Sequence, residues 1–546
     1  FRSAVRLYIN GVQVASATGA IASYGASPFN FNIGGGGVFN ATGDYFRGDI
    51  DEVAVFDKAL STGRVKQLYD VAVGTIPPTV ALAPTITPGN VIAEGLPYTL
   101  TVDPAGTPPF TYQWKKGGVP ISGAESITYT VPSAVANSPV VDPFEYTCEV
   151  TNSYGSVTSP ALFVYVTAAL VWDGTDGTNP TFWDVATTAN WKPFSGGAVT
   201  TYSNDFSAVF NDAAVGTSVA ITTDVEPEAV VFGNNAKNIT LTSSANGIGG
   251  ATGINKTGTG NVTILSNNYY TGPTSVNAGT LTIGNGTDGA IAAGSNLSVT
   301  GGNLDFNLPD AGVFANPGVI AAGQLRFLGT GSLTLSGGSA LTGNGTEVFD
   351  RAGIVTVGRP NQVKNVSILQ GEVVFNGNQE GNRLAVNANV TVAAGAAMTI
   401  RGVNALPTAL NSPNITLNQS ILKVVTNSGS HGHLFNLVLN QGTILLASDA
   451  GGAYNGESFQ LNGDLTVTGT AASTITFDGA GDASNSGVAL KGTRIFDVPN
   501  VTGNANADLV INAELEAPDD NLGNLTKTGN GTIFLAGGIA HSYPGL

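Results

Sequence analysis

The stretch Asp173-Gly174-Thr175-Asp176-Gly177-Thr178-Asn179 contains the residue types that bind calcium. Asp173, Asp176 and Asn179 offer carboxylate and amide oxygens at short spacing, and the glycines allow the backbone to fold around an ion. The spacing departs from the EF-hand pattern, and no glutamate closes the loop. A polar structural turn is therefore the favoured interpretation, and these three residues are candidate calcium ligands in the alternative.

A second acidic cluster, Asp49, Asp51 and Glu52, lies in a segment that alternates like a strand. A period of two places Asp49 and Asp51 on one face, where a structural pair is favoured and a calcium site is the alternative. His431-Gly432-His433 puts two imidazoles on one face of a strand, which is half of a metal site. No third ligand stands nearby in sequence, so a solvated turn is favoured there.

Motifs for catalysis are absent from the sequence. There is no HExxH zinc motif, no Gly-x-Ser-x-Gly nucleophile motif, no phosphate-binding loop and no cysteine-rich zinc spacing. Acidic residues are sparse in the strand-like segments, whereas polysaccharide lyases and hydrolases group carboxylates in a groove. The sequence predicts a protein that is not an enzyme and needs no cofactor. Carboxylates converging from separate turns, in a polysaccharide-degrading enzyme, are the alternative.

Composition argues against several kinds of partner. The chain has 546 residues, 73 of them glycine, with a net charge of −17 and 11% charged residues, against about 25% in ordinary soluble domains. The negative charge argues against binding to nucleic acid or anionic lipid. A single cysteine rules out a disulfide within the chain. The sequence contains no run of 18 apolar residues, so it predicts no membrane-spanning helix. Most of the frequent Asn-x-Ser/Thr triplets, such as Asn414-Ile415-Thr416, are interpreted as chance products of this composition and not as glycosylation sites.

Two stretches of the chain nearly repeat each other. Lys256-Thr257-Gly258-Thr259-Gly260 and Lys527-Thr528-Gly529-Asn530-Gly531 each precede a short strand pattern. A repeated strand and glycine turn is typical of a solenoid, in which each unit buries its apolar face on the next. The phrase resembles the autotransporter-associated β-strand repeat of large bacterial surface proteins. Alternating strand patterns over 231–546 predict a parallel β-solenoid of about 13–15 turns.

Residues 168–230 carry three of the four tryptophans, Trp172, Trp183 and Trp191. The segment resembles the lead-in of the same repeat family. An aromatic cluster can serve as a platform for sugars, but terminal repeats of solenoids are atypical and cover the open end. A buried cap is the favoured interpretation.

Residues 1–75 contain the patterns Leu7-Tyr8-Ile9-Asn10-Gly11 and Gly48-Asp49-Ile50-Asp51-Glu52-Val53. Their order resembles the second half of a laminin-G-like, or concanavalin-like, jellyroll. Asn-Gly between apolar runs predicts a hairpin, and Ser61 predicts the N-cap of a helix. Half of a sandwich leaves an apolar face and open edges, so we expect other residues or another chain to complete it.

Residues 79–167 resemble a bacterial immunoglobulin-like (Ig-like) domain. Trp114 has the place of the core tryptophan, and Tyr146 stands two residues before Cys148, which has the place of the second cysteine. Val102 occupies the first cysteine position, which departs from the pattern. We expect Cys148 to be a buried, unreactive thiol, because apolar surroundings raise a thiol pKa.

Together these segments predict an all-β chain: a partial jellyroll, an Ig-like β-sandwich and a long parallel β-helix. The resemblances imply a non-catalytic extracellular or cell-surface protein with a structural or adhesive role, as a subunit of a surface filament or layer. Both ends look like cuts through strand patterns, so we expect self-association at or near residues 1–56 and 500–546. The alternative is a glycan-binding adhesin that acts through the jellyroll.

Overall fold

In a computed structural model nearly all the regular secondary structure of the described residues is β-strand, and the all-β prediction is confirmed. The chain forms two compact units, Phe1–Ala168 and Ala169–Leu546. The structure describes residues 4–9, 11–18, 60–73, 76–87, 91–136, 143–337, 340–376, 384–385, 387–401, 413–426, 432–434, 436–448, 459–477, 487–490, 492–516 and 524–535.

An antiparallel hairpin opens the first unit, with strands Ala4–Ile9 and Val12–Thr18. Gly11 has φ +72°, a conformation that glycine adopts without strain, and this allows the tight reversal. Helix α1, Thr62–Val73, lies close to this glycine. The hairpin predicted from Asn-Gly is confirmed.

The N-terminus of helix α1 is capped by Ser61, as its sequence predicts. Its Oγ accepts a hydrogen bond from the backbone N–H of Arg64 at 3.1 Å, which satisfies a donor that the helix leaves free. The hydroxyl groups of Tyr8 and Thr62 lie 3.1 Å apart and join the hairpin to the helix.

A sandwich of two sheets follows in the same unit. One sheet contains, in order, Val91–Ala93, Leu162–Thr167, Phe144–Asn152, Thr111–Lys116 and Val119–Pro120, with Gly155–Thr158 also paired to Phe144–Asn152. The other contains Thr85–Thr87, Tyr98–Thr101 and Thr128–Val131. Most neighbours are antiparallel, which is the arrangement of Ig-like domains.

The core of the sandwich has the packing that the sequence predicts. Trp114 and Cys148 are direct partners on neighbouring strands, and both side chains are fully buried. The hydroxyl groups of Tyr98 and Tyr146 meet at 2.7 Å inside the sandwich. Val102 is buried in the same cluster, and Cys148 is a free thiol.

The second unit is a parallel β-solenoid built on three main ladders, which we call A, B and C. Ladder A contains Ala169–Trp172, Ser207–Phe210, Val230–Phe232, Ile254–Lys256, Thr274–Val276, Leu297–Val299 and Gly318–Ile320, and Trp191–Pro193 pairs antiparallel with its first strand. Ladder B contains Phe182–Trp183, Ser218–Ile221, Ile239–Thr242, Asn261–Ile264, Thr280–Ile283, Asn303–Asn307, Gln324–Gly329, Asn389–Val392, Asn414–Asn418, Leu437–Asn440, Leu465–Thr468, Thr493–Asp497 and Asn524–Thr528.

Ladder C contains Gly312–Phe314, Leu333–Leu335, Ala397–Arg401, Ile421–Thr426, Thr443–Ser448, Ser473–Phe477, Leu509–Ile511 and Ile533–Leu535. Two long strands, Leu341–Val357 and Asn361–Asn376, run through all three ladders. In the later turns a fourth ladder has the same position in the chain order as ladder A, after a ladder C strand and before a ladder B strand. It contains Gly432–Leu434, Phe459–Leu461, Gly487–Leu490 and Glu514–Glu516.

Apolar side chains of the three ladders form one continuous core. In each strand alternate residues point inward, so equivalent residues stack from turn to turn. Phe306, Phe327 and Phe349 make such a column, with ring centroids 6.3 and 5.6 Å apart. Because each turn buries its apolar face on the next, the stack stabilises units that could not fold alone.

Over 231–546 ladder B has 13 described strands, the two long strands included, in agreement with the 13–15 turns expected, and about 12 turns separate the first of them from the last. In the middle of the solenoid Leu281 pairs with Leu304, 23 residues later. Near the C-terminal end Ile444 pairs with Ile475, 31 residues later, and Ile475 pairs with Ile511, 36 residues later. The connections between strands therefore lengthen toward the C-terminal end of the solenoid.

The two near-repeats form corners of the solenoid. Gly258 lies so close to the carbonyl oxygen of Asn234 in the preceding turn that a Cβ atom would collide with it. Gly529 meets the carbonyl oxygen of Val498 in the same way. The first corner joins ladder A to ladder B, whereas the second joins ladder B to ladder C, so the two copies are not at equivalent positions.

Candidate functional site

The first candidate loop begins directly after the first strand of ladder A. The carboxylate of Asp173 accepts hydrogen bonds from Lys192 Nζ at 2.7 Å and from the Thr175 hydroxyl. Burial raises the pKa of Asp173, but these hydrogen bonds and the charge of Lys192 outweigh it, so the pKa lies below its ordinary value. Asp173 thus takes part in a structural ion pair.

The rest of this loop is held by its own hydrogen bonds. Asp176 Oδ1 accepts from the backbone N–H groups of Thr178 and Asn179 at 2.9 and 2.8 Å, which lowers the pKa of Asp176. The side chain of Asn190 accepts from the N–H of Asp176 and donates to the carbonyl of Asn179, both at 2.8 Å. The structure therefore brings Asp176 and Asn179 together as a turn, with Asp173 paired elsewhere.

Most of the other candidate metal ligands lie outside the described residues. These are Asp49, Asp51 and His431. His433 lies in the strand Gly432–Leu434. In the part of the chain that the structure describes, no three His, Cys, Asp or Glu side chains are grouped as a metal site. Calcium binding stays a prediction.

The tryptophan cluster fills the core of the first solenoid turns. Trp172, Trp183 and Trp191 are each 0% exposed. Their ring centroids lie 5.2 Å (Trp172–Trp191) and 5.3 Å (Trp183–Trp191) apart, and Tyr202 packs 5.4 Å from Trp183. Buried rings have no face for a sugar, so the sugar-platform alternative is wrong.

Two carboxylates converge on the outer face of ladder B, and sequence reasoning missed them. Arg326 Nε lies 3.5 Å from Asp305 Oδ1, and its terminal nitrogen lies 3.9 Å from Asp350 Oδ2. Burial raises the pKa of Asp305 to about 6; the charge of Arg326 opposes this shift and that of Asp350 adds to it. The guanidinium of Arg326 thus pairs with both carboxylates. The cluster is an ion ladder between turns, signalled only by charges at outward strand positions.

A column of asparagine amides runs along one edge of ladder B. Asn389 donates to Asn365, Asn414 to Asn389, and Asn436 to Asn414, with Nδ2–Oδ1 distances of 3.4, 3.2 and 3.0 Å. Several of these asparagines begin an Asn-apolar-Ser/Thr triplet. The triplets recur because the amide stacks, the apolar residue points inward and the hydroxyl residue points outward. Stacking explains the triplets that begin at Asn365, Asn389 and Asn414, and chance stays the interpretation for most of the others.

The hairpin of the first unit has an open apolar face. Leu7, Ile9, Val12 and Val14 are 52–56% exposed. Leu7, Ile9 and Val12 share one face of the hairpin, opposite Tyr8, which bonds to helix α1, and Val14 lies at a β-bulge that interrupts the alternation. Groups of exposed aliphatic side chains are typical of interfaces.

The fold defines a modular β-protein that consists of a sandwich unit and a parallel solenoid. Residues 2–66 match a laminin-G-type family model described as the concanavalin A-like lectin/glucanases superfamily. The chain is 28% identical over 305 residues to the adhesin BmaC autotransporter of Brucella suis biovar 1 (strain 1330). The aligned region covers 54% of this chain and 8% of the adhesin. The resemblance to bacterial surface proteins that the sequence indicates is confirmed.

A second relative is the decoration protein of Escherichia phage T5, 37% identical over 90 residues, or 16% of this chain and 52% of that protein. The chain thus spans less than two thirds of the length of either curated relative. A solved structure of Sidekick-1 immunoglobulin domains 1–5 matches 19% of this chain and 20% of its own, with 21% identity and a TM-score of 0.15. In the described part of the chain, no helix is long and apolar enough to cross a bilayer.

Proposed function

We propose that the chain is a non-catalytic structural or adhesive protein of an extracellular surface, in which the solenoid serves as a stiff spacer. The observation that carries this proposal is the continuous core of stacked ladders from Leu170 to Leu525. About 12 turns at about 4.8 Å each give a rod of roughly 58 Å. Similarity to an adhesin and to a decoration protein supports a surface role.

Self-association into a filament or layer is part of the proposal. The exposed group of Leu7, Ile9, Val12 and Val14 supports it, because burying aliphatic side chains on a second copy removes them from water. A head-to-tail contact that does not close extends into a filament.

Sedimentation velocity on the 546-residue chain tests this contact. We expect concentration-dependent assembly of the unchanged protein and its loss in Ile9→Asp, which places a charge on the open face. Gln13→Asp is the matched control, because residue 13 is also exposed and lies on the opposite face. Assembly that is unchanged in Ile9→Asp, or equally lost in both variants, would remove the hairpin from the contact.

Glycan binding through the N-terminal segment is the second candidate function. The match of residues 2–66 to a lectin and glucanase superfamily favours it. A glycan array separates the two candidates: specific binding that survives Ile9→Asp would favour a glycan adhesin, and an empty array would leave the structural role.

A further inference from the structure

One acidic side chain lies inside the apolar core of the solenoid. Glu347 is 1% exposed, in the long strand Leu341–Val357. Its direct neighbours in ladder B are Leu325 in the turn before and Val366 in the turn after, which occupy inward positions. A carboxylate at such a position loses its hydration, and this cost must be offset by polar partners or avoided by binding a proton.

The polar partners of Glu347 come from the start of the next turn. Asn361 Nδ2 donates a hydrogen bond to Glu347 Oε2, while Asn361 Oδ1 accepts from Val363 N at 3.1 Å. Glu347 and Asn361 are almost completely buried. The amide can donate to the carboxyl group whether or not that group carries a proton.

Arg359 is the charged group that acts on Glu347, but its contacts lie elsewhere. Its guanidinium donates to the carbonyl oxygen of Asn316 at 2.7 Å and lies 5.0 Å from the ring centroid of Phe314. Its NH2 group has no hydrogen-bond partner in the described part of the chain. The charge of Glu347 is therefore only partly compensated.

The other charges near this level of the solenoid are directed away from Glu347. Arg351 is buried too, and its guanidinium donates to carbonyl oxygens of Leu308, Leu328 and Gly331 and to Asp310. The ion ladder described above lies on the outer side of ladder B. Burial raises the pKa of Glu347 to about 7, against the opposing effects of Arg359 and Asn361.

We propose that Glu347 is a proton-operated lock in the solenoid core: with its proton bound it stabilises the turns 341–376, and loss of the proton loosens them. The direction follows from proton linkage. A carboxyl group that holds its proton more tightly in the folded state stabilises the fold fully at acid pH. This contribution is lost as the pH rises from the ordinary glutamate pKa of 4.5 to the raised pKa of about 7, and it does not change further above that pH.

Hydrogen exchange of the 546-residue chain at pH 5.5 and pH 8, corrected for intrinsic rates, tests the lock. Peptides from 341–376 should open more at pH 8, with an opening constant that rises by up to about tenfold per pH unit, the limit for one proton. Peptides from 239–283 should not change in this way. Glu347→Gln should abolish the difference, and Glu226→Gln, at an exposed position of the same solenoid, should retain it.

Two results would overturn the lock. One is equal corrected protection of 341–376 at both pH values in the unchanged protein, which decides the matter even if Glu347→Gln fails to fold. The other is a pH effect in Glu347→Gln as large as in the unchanged protein, which would assign the effect to another group.

Discussion

At the residue scale, the two copies of the glycine motif place the same lysine in different surroundings. Lys256 is fully buried between Phe232 and Val276 of ladder A, and its Nζ donates to the carbonyl of Gly258. Lys527 is exposed and donates to Gly529 at 2.8 Å. Desolvation lowers the pKa of Lys256 to about 8, although the charge of Asp212 opposes this.

Lys256→Met should therefore stabilise the solenoid at pH 7, by on the order of 1–3 kcal/mol, because it removes a buried ammonium group. In the unchanged protein the lowered pKa means that stability rises with pH between about 8 and the ordinary lysine value. Denaturant melts at several pH values measure both effects. Lys527→Met is the matched control and should change little; equal effects of both substitutions would contradict the burial argument.

Cys148 should be inert in the folded protein. Burial raises its pKa to about 11, and hydrogen bonding to the backbone of Gln113 opposes this shift. Labelling with a thiol reagent requires an accessible thiolate, so we expect negligible labelling in buffer and full labelling in denaturant. Rapid labelling of the folded chain would show that the packing of Trp114 on this thiol is wrong.

Sequence alone identified Trp114, Cys148 and the N-cap Ser61, because each has a local signature. It did not identify Glu347 or Arg326, since their surroundings depend on which turn stacks above and below. Lys256 and Lys527 make the point directly: the same motif gives a buried and an exposed lysine.

At the element scale, period-two alternation predicts which residues point into the solenoid. Leu333 points inward and is 1% exposed, while the next residue, Thr334, is exposed on the outer face of ladder C. Leu333→Asp should destabilise the solenoid by about 3 kcal/mol or more, because it buries an unpaired charge. Thr334→Asp should cost little. Thermal melts that rank the two variants equally would contradict the inward assignment.

The division of strands among ladders could not be read from the sequence. Alternation shows where a strand is, but corners depend on close contacts such as that of Gly258 with the preceding turn. The connections between strands also lengthen toward the C-terminal end, where Ile475 and Ile511 pair across 36 residues. An even repeat length cannot predict such insertions.

At the scale of the whole molecule, a low fraction of charged residues and a stack of ladders suit the proposed role of a spacer that makes contacts through its surface. The solenoid contains one continuous apolar core, and the carboxylates of Asp173, Asp176 and Asp305 are held by lysine, backbone N–H groups and arginine respectively. On the hairpin, Leu7, Ile9, Val12 and Val14 lie close together in the chain and are all more than half exposed. This exposed group is the reason to expect assembly through the N-terminal segment.

The central proposal is that the chain assembles into a surface filament or layer and that its solenoid serves as a rod. Electron microscopy of the purified 546-residue chain in neutral buffer tests this most directly. We expect ordered filaments or arrays in which the solenoid recurs as a rod of roughly 58 Å. Stable, separate particles at all concentrations, with the N-terminal hairpin and the last strands ordered in each, would contradict it.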